Sequence, residues 1–166
     1  MTMQNYAFPR AALVRLYAAL GLTPVPLSGC RLSSESPPKV GLSVAELEAA
    51  ERHLLHAYGV GVVLSEGWIA VEIFDLGAFL RWLEERRLRL PRTWTIEHQR
   101  GWVLLYRCPS LSWVEGFQPD GAAVWGAGAV IVMPDTPNVR SLSEPSSVSN
   151  ITEGVDDVAQ GVVCAA

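Results

Sequence analysis

Hard divalent cations are held by carboxylate oxygens, and two carboxylates two residues apart on a strand point to the same face. The chain places two acids close together at the end of an apolar run, Glu72 and Asp75 in Trp68-Ile69-Ala70-Val71-Glu72-Ile73-Phe74-Asp75. They are three residues apart, so strand alternation turns them to opposite faces unless a bulge intervenes. Glu97, His98, Asp120 and Asp135 are further candidates, but they fall on turns and loops. His53 and His56 stand at i, i+3 on a helix with no third ligand at hand, which suits a helix surface. Cys30, Cys108 and Cys164 are few, odd in number and widely spaced. They form no CxxC and no Cys/His pattern at zinc spacing, and they point to a reducing compartment. Gly126-Ala127-Gly128 is too short for a dinucleotide loop. Arg81, Arg86, Arg87, Arg89 and Arg92 surround Glu84 and Glu85, the pattern of a solvated helix face with i, i+4 ion pairs rather than a phosphate stripe. Arg100 and Arg107 flank a central strand and are the arginines better placed to meet a nucleic-acid backbone.

The elements that must position these groups follow from period and punctuation. Residues 9–20 predict a helix, with Pro9 in its first turn and Gly21 to stop it. Leu22 to Leu27 is a short extended segment that its prolines restrict to an edge, and residues 28–42 are loop. Ser43-Val44-Ala45-Glu46 is a capping box for a second helix that ends at Gly59. Residues 60–74 predict a hairpin about Ser65-Glu66-Gly67. Leu76 to Arg89 is a third helix, stopped by Leu90-Pro91. Residues 93–97 and 102–106 pair about His98-Gln99-Arg100-Gly101, and residues 108–121 are loop. Ala122 to Trp125 and Ala129 to Met133 predict a last hairpin. The whole is an α+β domain, a mainly antiparallel sheet of hairpins packed with three helices.

Composition narrows the function. The 166 residues are 49% apolar and 18% charged, enough for a buried core and unlike a disordered chain. Residues 1–140 hold 13 basic and 13 acidic residues, so the net charge of −4 belongs to residues 141–166, with Glu144, Glu153, Asp156 and Asp157. A neutral body lacks the basic footprint of an avid nucleic-acid binder. Residues 137–166 are expected to form a flexible acidic tail after a domain over 1–136. An apolar patch at Val158 to Val163 lies within that tail. No apolar run is long enough to span a membrane, and the N-terminus lacks the basic start of a signal peptide. The expected location is cytoplasmic, with no membrane partner.

From Ala11 to Thr136, about three quarters of the chain, the sequence resembles the small primase-polymerase domain of mobile elements, a member of the archaeo-eukaryotic primase superfamily. Five segments carry the resemblance, in the family's order. Gly21 to Leu27 is similar to its "GWPVFPL", and Gly59 to Asp75 to its "NVGIVTGSGLVVLDVD". Leu90 to Ile96 matches "LPPTPTVRT", and Gly101 to Pro109 matches "GGRHLYFRAP". Ala122 to Thr136 corresponds to "VDVRGDGGYVVAPPS".

The resemblance implies metal-dependent nucleotidyl transfer, with two strand carboxylates, a third from the last hairpin, and a His on the central strand for the phosphates. This chain departs at nearly every position. Glu72 keeps the first carboxylate on a longer arm, Phe74 replaces the second with Asp75 beside it, Val103 replaces the His, and Ala123 replaces the third carboxylate. Glu72 and Asp75 are thus the expected catalytic remnants, with Arg100 and Arg107 as expected nucleic-acid contacts and no metal site. No cofactor is expected, Mg or Mn entering only if the site is active. Trp102 and Trp125 are expected to fill the family's cleft, and Trp68 and Trp82 to pack. The leading expectation is a catalytically impaired primase-polymerase-like module that binds DNA or a replication protein such as a helicase or active paralogue. The alternatives are a divergent but active primase/polymerase, and a structural or protein-interaction module with no nucleotide role.

Overall fold

A computed structural model describes residues 10–28, 31–32, 43–107 and 119–150. Helix α1 (Arg10–Ala19) is followed by strands β1 (Thr23–Ser28) and β2 (Arg31–Leu32), helix α2 (Val44–His56), β3 (Gly59–Val63), β4 (Trp68–Ile73) and helix α3 (Leu76–Glu85). Then come β5 (Trp94–His98), β6 (Gly101–Arg107), β7 (Ala122–Trp125), β8 (Val130–Val132), β9 (Arg140–Ser141), a 3-10 turn over Pro145–Ser147, and β10 (Ser149–Asn150). The fold is α+β, with three helices among the described residues.

Local chemistry sets the helix limits. Ser43 caps α2 through the expected box: the Glu46 N–H donates to Ser43 Oγ at 3.3 Å, and the Ser43 N–H donates to Glu46 Oε2 at 2.8 Å. Helix α1 ends in a Schellman motif, with Leu22 N–H on the Tyr17 carbonyl (3.0 Å) and Gly21, at φ 80°, on the Ala18 carbonyl (2.9 Å). Helix α3 ends in the same motif: Leu88 N–H reaches the Leu83 carbonyl at 2.8 Å and Arg87 N–H the Glu84 carbonyl at 2.9 Å. Here the left-handed position is held by Arg87 at φ 56°, so the helix stops four residues before the expected Arg89.

The strands form two sheets. The smaller has the order β2-β1-β3-β8 and the larger β7-β4-β6-β5-β9, with β10 parallel to the end of β6. The expected hairpins over 60–74 and 122–133 do not form. Strand β3 pairs with β1 and β8, while β4 pairs with β6 and β7, so the chain crosses between sheets at both places. The reason is burial: all five residues of β3 are buried, a demand met by covering both its faces and filling both its edges. Only 94–107 keeps its expected hairpin, with His98 opposite Gly101.

One face of the larger sheet packs against the smaller sheet and α1, joining Val60, Val62, Leu64, Trp68, Trp94 and Leu105 in one core. Tyr17 lies 5.9 Å from Trp94, ring centre to ring centre. The opposite face carries α3, whose Phe79, Trp82 and Leu83 meet Val71, Ile73 and Tyr106. Burial pushes the phenols of Tyr17 and Tyr106 up, so both remain protonated donors, Tyr106 to the Pro91 carbonyl at 2.9 Å.

Residues 140–141 and 149–150, within the stretch expected to be a flexible tail, are paired into the larger sheet. Strand β9 pairs with β5, β10 pairs with β6, and Val139 and Val148 pack on the main core. Serine hydroxyls make this possible: Ser141 Oγ accepts from Trp94 Nε1 (2.8 Å) and Ser143 Oγ from Thr95 N–H (2.9 Å). Polar composition there signals edge pairing rather than a free tail. Residues 151–166, with the Val158 to Val163 patch, lie outside the described residues, as do the three cysteines and the bulk of both long loops.

Two stability tests follow from these details. Thr136 Oγ1 accepts the buried Val60 N–H at 2.9 Å, so Thr136→Val orphans that donor and should cost about 2 kcal/mol in chemical denaturation. Arg87→Gly removes the left-handed strain and should raise stability by about 1 kcal/mol in the same assay.

Candidate functional site

One face of β4 opens progressively along its length. Trp68 and Ala70 are buried, Glu72 is half-buried, and Phe74 beyond the strand is 59% exposed. The mouth of the space between the two sheets therefore lies at Glu72. Antiparallel register sets its neighbours: Ala123 of β7 stands directly opposite on one side and Val103 of β6 on the other. Directly opposed residues point to the same face, so Ala123, Glu72 and Val103 form one row, continued by Ile96 of β5. The three positions singled out from the sequence come together, and they hold one carboxylate between two apolar side chains.

The Glu72 carboxylate is engaged by its own chain. Trp125 Nε1 donates to Oε2 at 2.9 Å, and His98 Nε2 lies 3.7 Å from Oε1. His98 Nδ1 accepts the Arg100 backbone N–H at 3.2 Å, which places the ring proton of a neutral imidazole on Nε2, facing Glu72. His98 reaches over β6 because its directly opposed neighbour there is Gly101. Gly101 has φ 143°, and a Cβ on it would sit 1.9 Å from the Ile73 carbonyl oxygen. The signal that could have found His98 is period two: it shares parity with the buried Trp94 and Ile96 and hence their face.

Asp75 does not join this row. Its Oδ1 accepts the Ala78 N–H at 3.0 Å and caps α3. The turn is fixed by Gly121, whose carbonyl accepts both the Phe74 N–H (3.0 Å) and the Asp75 N–H (2.9 Å). Gly121 has φ 73°, and a Cβ there would lie 2.3 Å from the Asp75 carbonyl oxygen. The former second position, Phe74, is exposed at the mouth.

The two arginines stand at opposite ends of β6. Arg100 is exposed on the turn at the Glu72 end. Arg107 donates to the Leu20 carbonyl at 2.9 Å and lies 4.9 Å over the Trp68 ring. At about 3.3 Å per residue the two are roughly 23 Å apart along the strand. Trp102 does not line the mouth: it packs with Leu104 and Val124 on the α3 side. Trp125, 40% exposed, does sit there and acts as a donor to Glu72. On the α3 surface Arg86 lies 3.8 Å from Glu85 and 4.4 Å over the Trp82 ring.

A divalent cation does not fit this arrangement. Among the described residues no group of three His, Cys, Asp or Glu side chains gathers to hold a metal. Among the described residues Glu72 is the one carboxylate in the row with Ala123 and Val103, and its two oxygens face an indole N–H and an imidazole N–H. Comparison with known proteins finds no matching family model and no matching curated protein.

Ala123→Asp tests the geometry of the row. A second carboxylate directly opposite Glu72 should destabilise the protein by roughly 1–3 kcal/mol through like-charge repulsion and burial. Adding Mn²⁺ should then raise the melting temperature of the variant while leaving the unaltered protein unchanged.

Proposed function

We propose that this chain is a degenerate primase-polymerase-like domain, a scaffold that has lost metal-dependent nucleotidyl transfer and acts as a binding module in DNA replication or mobile-element biology. One observation carries this reading: the strand register sets Ala123, Glu72 and Val103 side by side at the mouth between the sheets. These are the positions where the family resemblance calls for two carboxylates and a His. Transfer between a primer end and a triphosphate needs cations held between opposed acids, and a single carboxylate hydrogen-bonded by Trp125 does not organise them.

The partner we infer is a protein rather than DNA. The body of the chain is electrically neutral over residues 1–140, and Arg107 spends its guanidinium on the Leu20 carbonyl and the Trp68 ring. Arg100 and Arg107, at opposite ends of β6, therefore do not offer a shared track for a phosphate backbone.

Isothermal titration of the protein with Mn²⁺ and a nucleoside triphosphate should give no binding heat, and primer extension should give no product above a no-enzyme control. Retention on DNA should be weak at all salt concentrations. Tight metal-dependent binding that disappears in Glu72→Ala would overturn the loss of catalysis, and DNA affinity falling steeply with salt would overturn the protein partner.

A further inference from the structure

We propose that the mouth around Glu72 is a docking site for an arginine side chain of a protein partner, which deepens the reading of a protein partner and rests on it. The starting point is a carboxylate whose charge is oriented but not cancelled. Among the described residues Glu72 has ion-pair geometry with His98 Nε2 alone, at 3.7 Å. That imidazole accepts the Arg100 N–H through Nδ1, and a ring that accepts through one nitrogen carries no charge. Trp125 Nε1 donates to the other carboxylate oxygen, and an indole is a neutral donor. Arg100 itself makes no ion pair among the described residues. A half-buried charge beside the apolar Ala123 and Val103 is destabilising until it is paired, and the Glu72 side chain, 32% exposed, is open to a cation arriving from solvent.

The arrangement selects a guanidinium. Each carboxylate oxygen has two acceptor sites, and one on each is turned to an indole or an imidazole N–H. The site left on each oxygen matches the parallel N–H pair of a guanidinium fork better than the single point charge of an ammonium. Trp125 presents an exposed indole beside the carboxylate, with no cation over its ring among the described residues. The chain covers two other tryptophans with its own arginines: Arg86 lies 4.4 Å over the Trp82 ring and Arg107 4.9 Å over the Trp68 ring. An arginine that reaches Glu72 meets the same kind of aromatic face at Trp125.

Openness assigns the arginine to a protein rather than to a free small molecule. Small-molecule pockets enclose most of their ligand, whereas Trp125 and Phe74 stand exposed at this rim. Protein interfaces concentrate binding energy on tryptophan and arginine, surrounded by apolar contacts that exclude water. Here the tryptophan and the carboxylate are supplied by this chain, Phe74 and the apolar floor supply the surround, and the arginine is the missing half.

The test follows the Trp125 indole N–H of the full chain by ¹⁵N detection while N-acetyl-arginine N-methylamide is added. That signal and the Ala123 and Val103 amides should shift saturably. The citrulline analogue, similar in shape but uncharged, should bind about tenfold more weakly, and the lysine analogue about threefold more weakly. Glu72→Gln keeps an acceptor for Trp125 and should weaken the arginine analogue about tenfold. Trp125→Leu, read at the Ala123 amide, should weaken it about threefold. Absence of a saturable shift, an equal response to citrulline or lysine, or full affinity in either variant overturns the proposal. Metal-dependent nucleotide binding in titration calorimetry overturns the underlying reading instead, so a silent Trp125 signal in a chain that binds neither metal nor nucleotide removes the docking site alone.

Discussion

Two of the three places where the chain passes from one sheet to the other, after β3 and before β8, are bonded to each other, and the architecture depends on that contact. Leu64 N–H donates to the Ala129 carbonyl at 2.9 Å, and Gly128 N–H donates to the Leu64 carbonyl at 2.8 Å. Leu64 itself is fully buried. Both crossings are thereby fixed at one corner, and the N–H and carbonyl of the buried Leu64 are both paired there. From that corner the sheets run face to face over a shared apolar core, and the buried-to-exposed gradient from Trp68 to Phe74 traces how they part. Glu72 is half-buried because it stands where the core ends.

That position gives the carboxylate its partners. A half-buried acid loses part of its hydration and must be hydrogen-bonded from within. Trp125 supplies an N–H from the strand next door, and His98 presents another across a glycine. The same three side chains make the mouth polar on one side, while Val103, Ala123 and Ile96 keep its floor apolar. The arrangement is a satisfied polar rim on a hydrophobic floor, which suits recognition better than the crowding of like charges that metal chemistry demands.

Much of the local structure was legible in the sequence, and the long-range pairing was not. Ser43 and Glu46 announced their capping box, Gly21 its helix stop, and the turn at His98 to Gly101 its hairpin, because each depends on neighbours within a few residues. The α+β class followed from the same local signals. The sheet partners of β3 and β4 were not legible, since alternation tells which side of a strand is buried but not which strand lies at its edge. Proximity along the chain suggested hairpins, whereas the full burial of Gly59 to Val63 required β1 and β8. Glu72, Val103 and Ala123 were picked out through the resemblance, and their register sets them in one row. The roles of Trp125 and His98 were hidden because they arise from strands 53 and 26 residues away in sequence from Glu72. Asp75 stands as an acid before a helix and caps α3, a local role that its position also announces. Polar composition concealed the pairing of β9 and β10, where hydroxyls rather than apolar side chains make the contacts.

The topology also dictates when the domain can assemble. Strand β3 gains its first edge from β1, made earlier, but its second edge is β8, some seventy residues later in the chain. The end of β6 is completed later in synthesis still, by β10. A nascent chain emerging from the ribosome therefore carries the five buried residues of β3 with one side unpaired until residues 130–132 have left the exit tunnel. During that interval the strand is an open template for other chains. Strands β8 and β10 are thus the ones whose synthesis closes the sheets against aggregation.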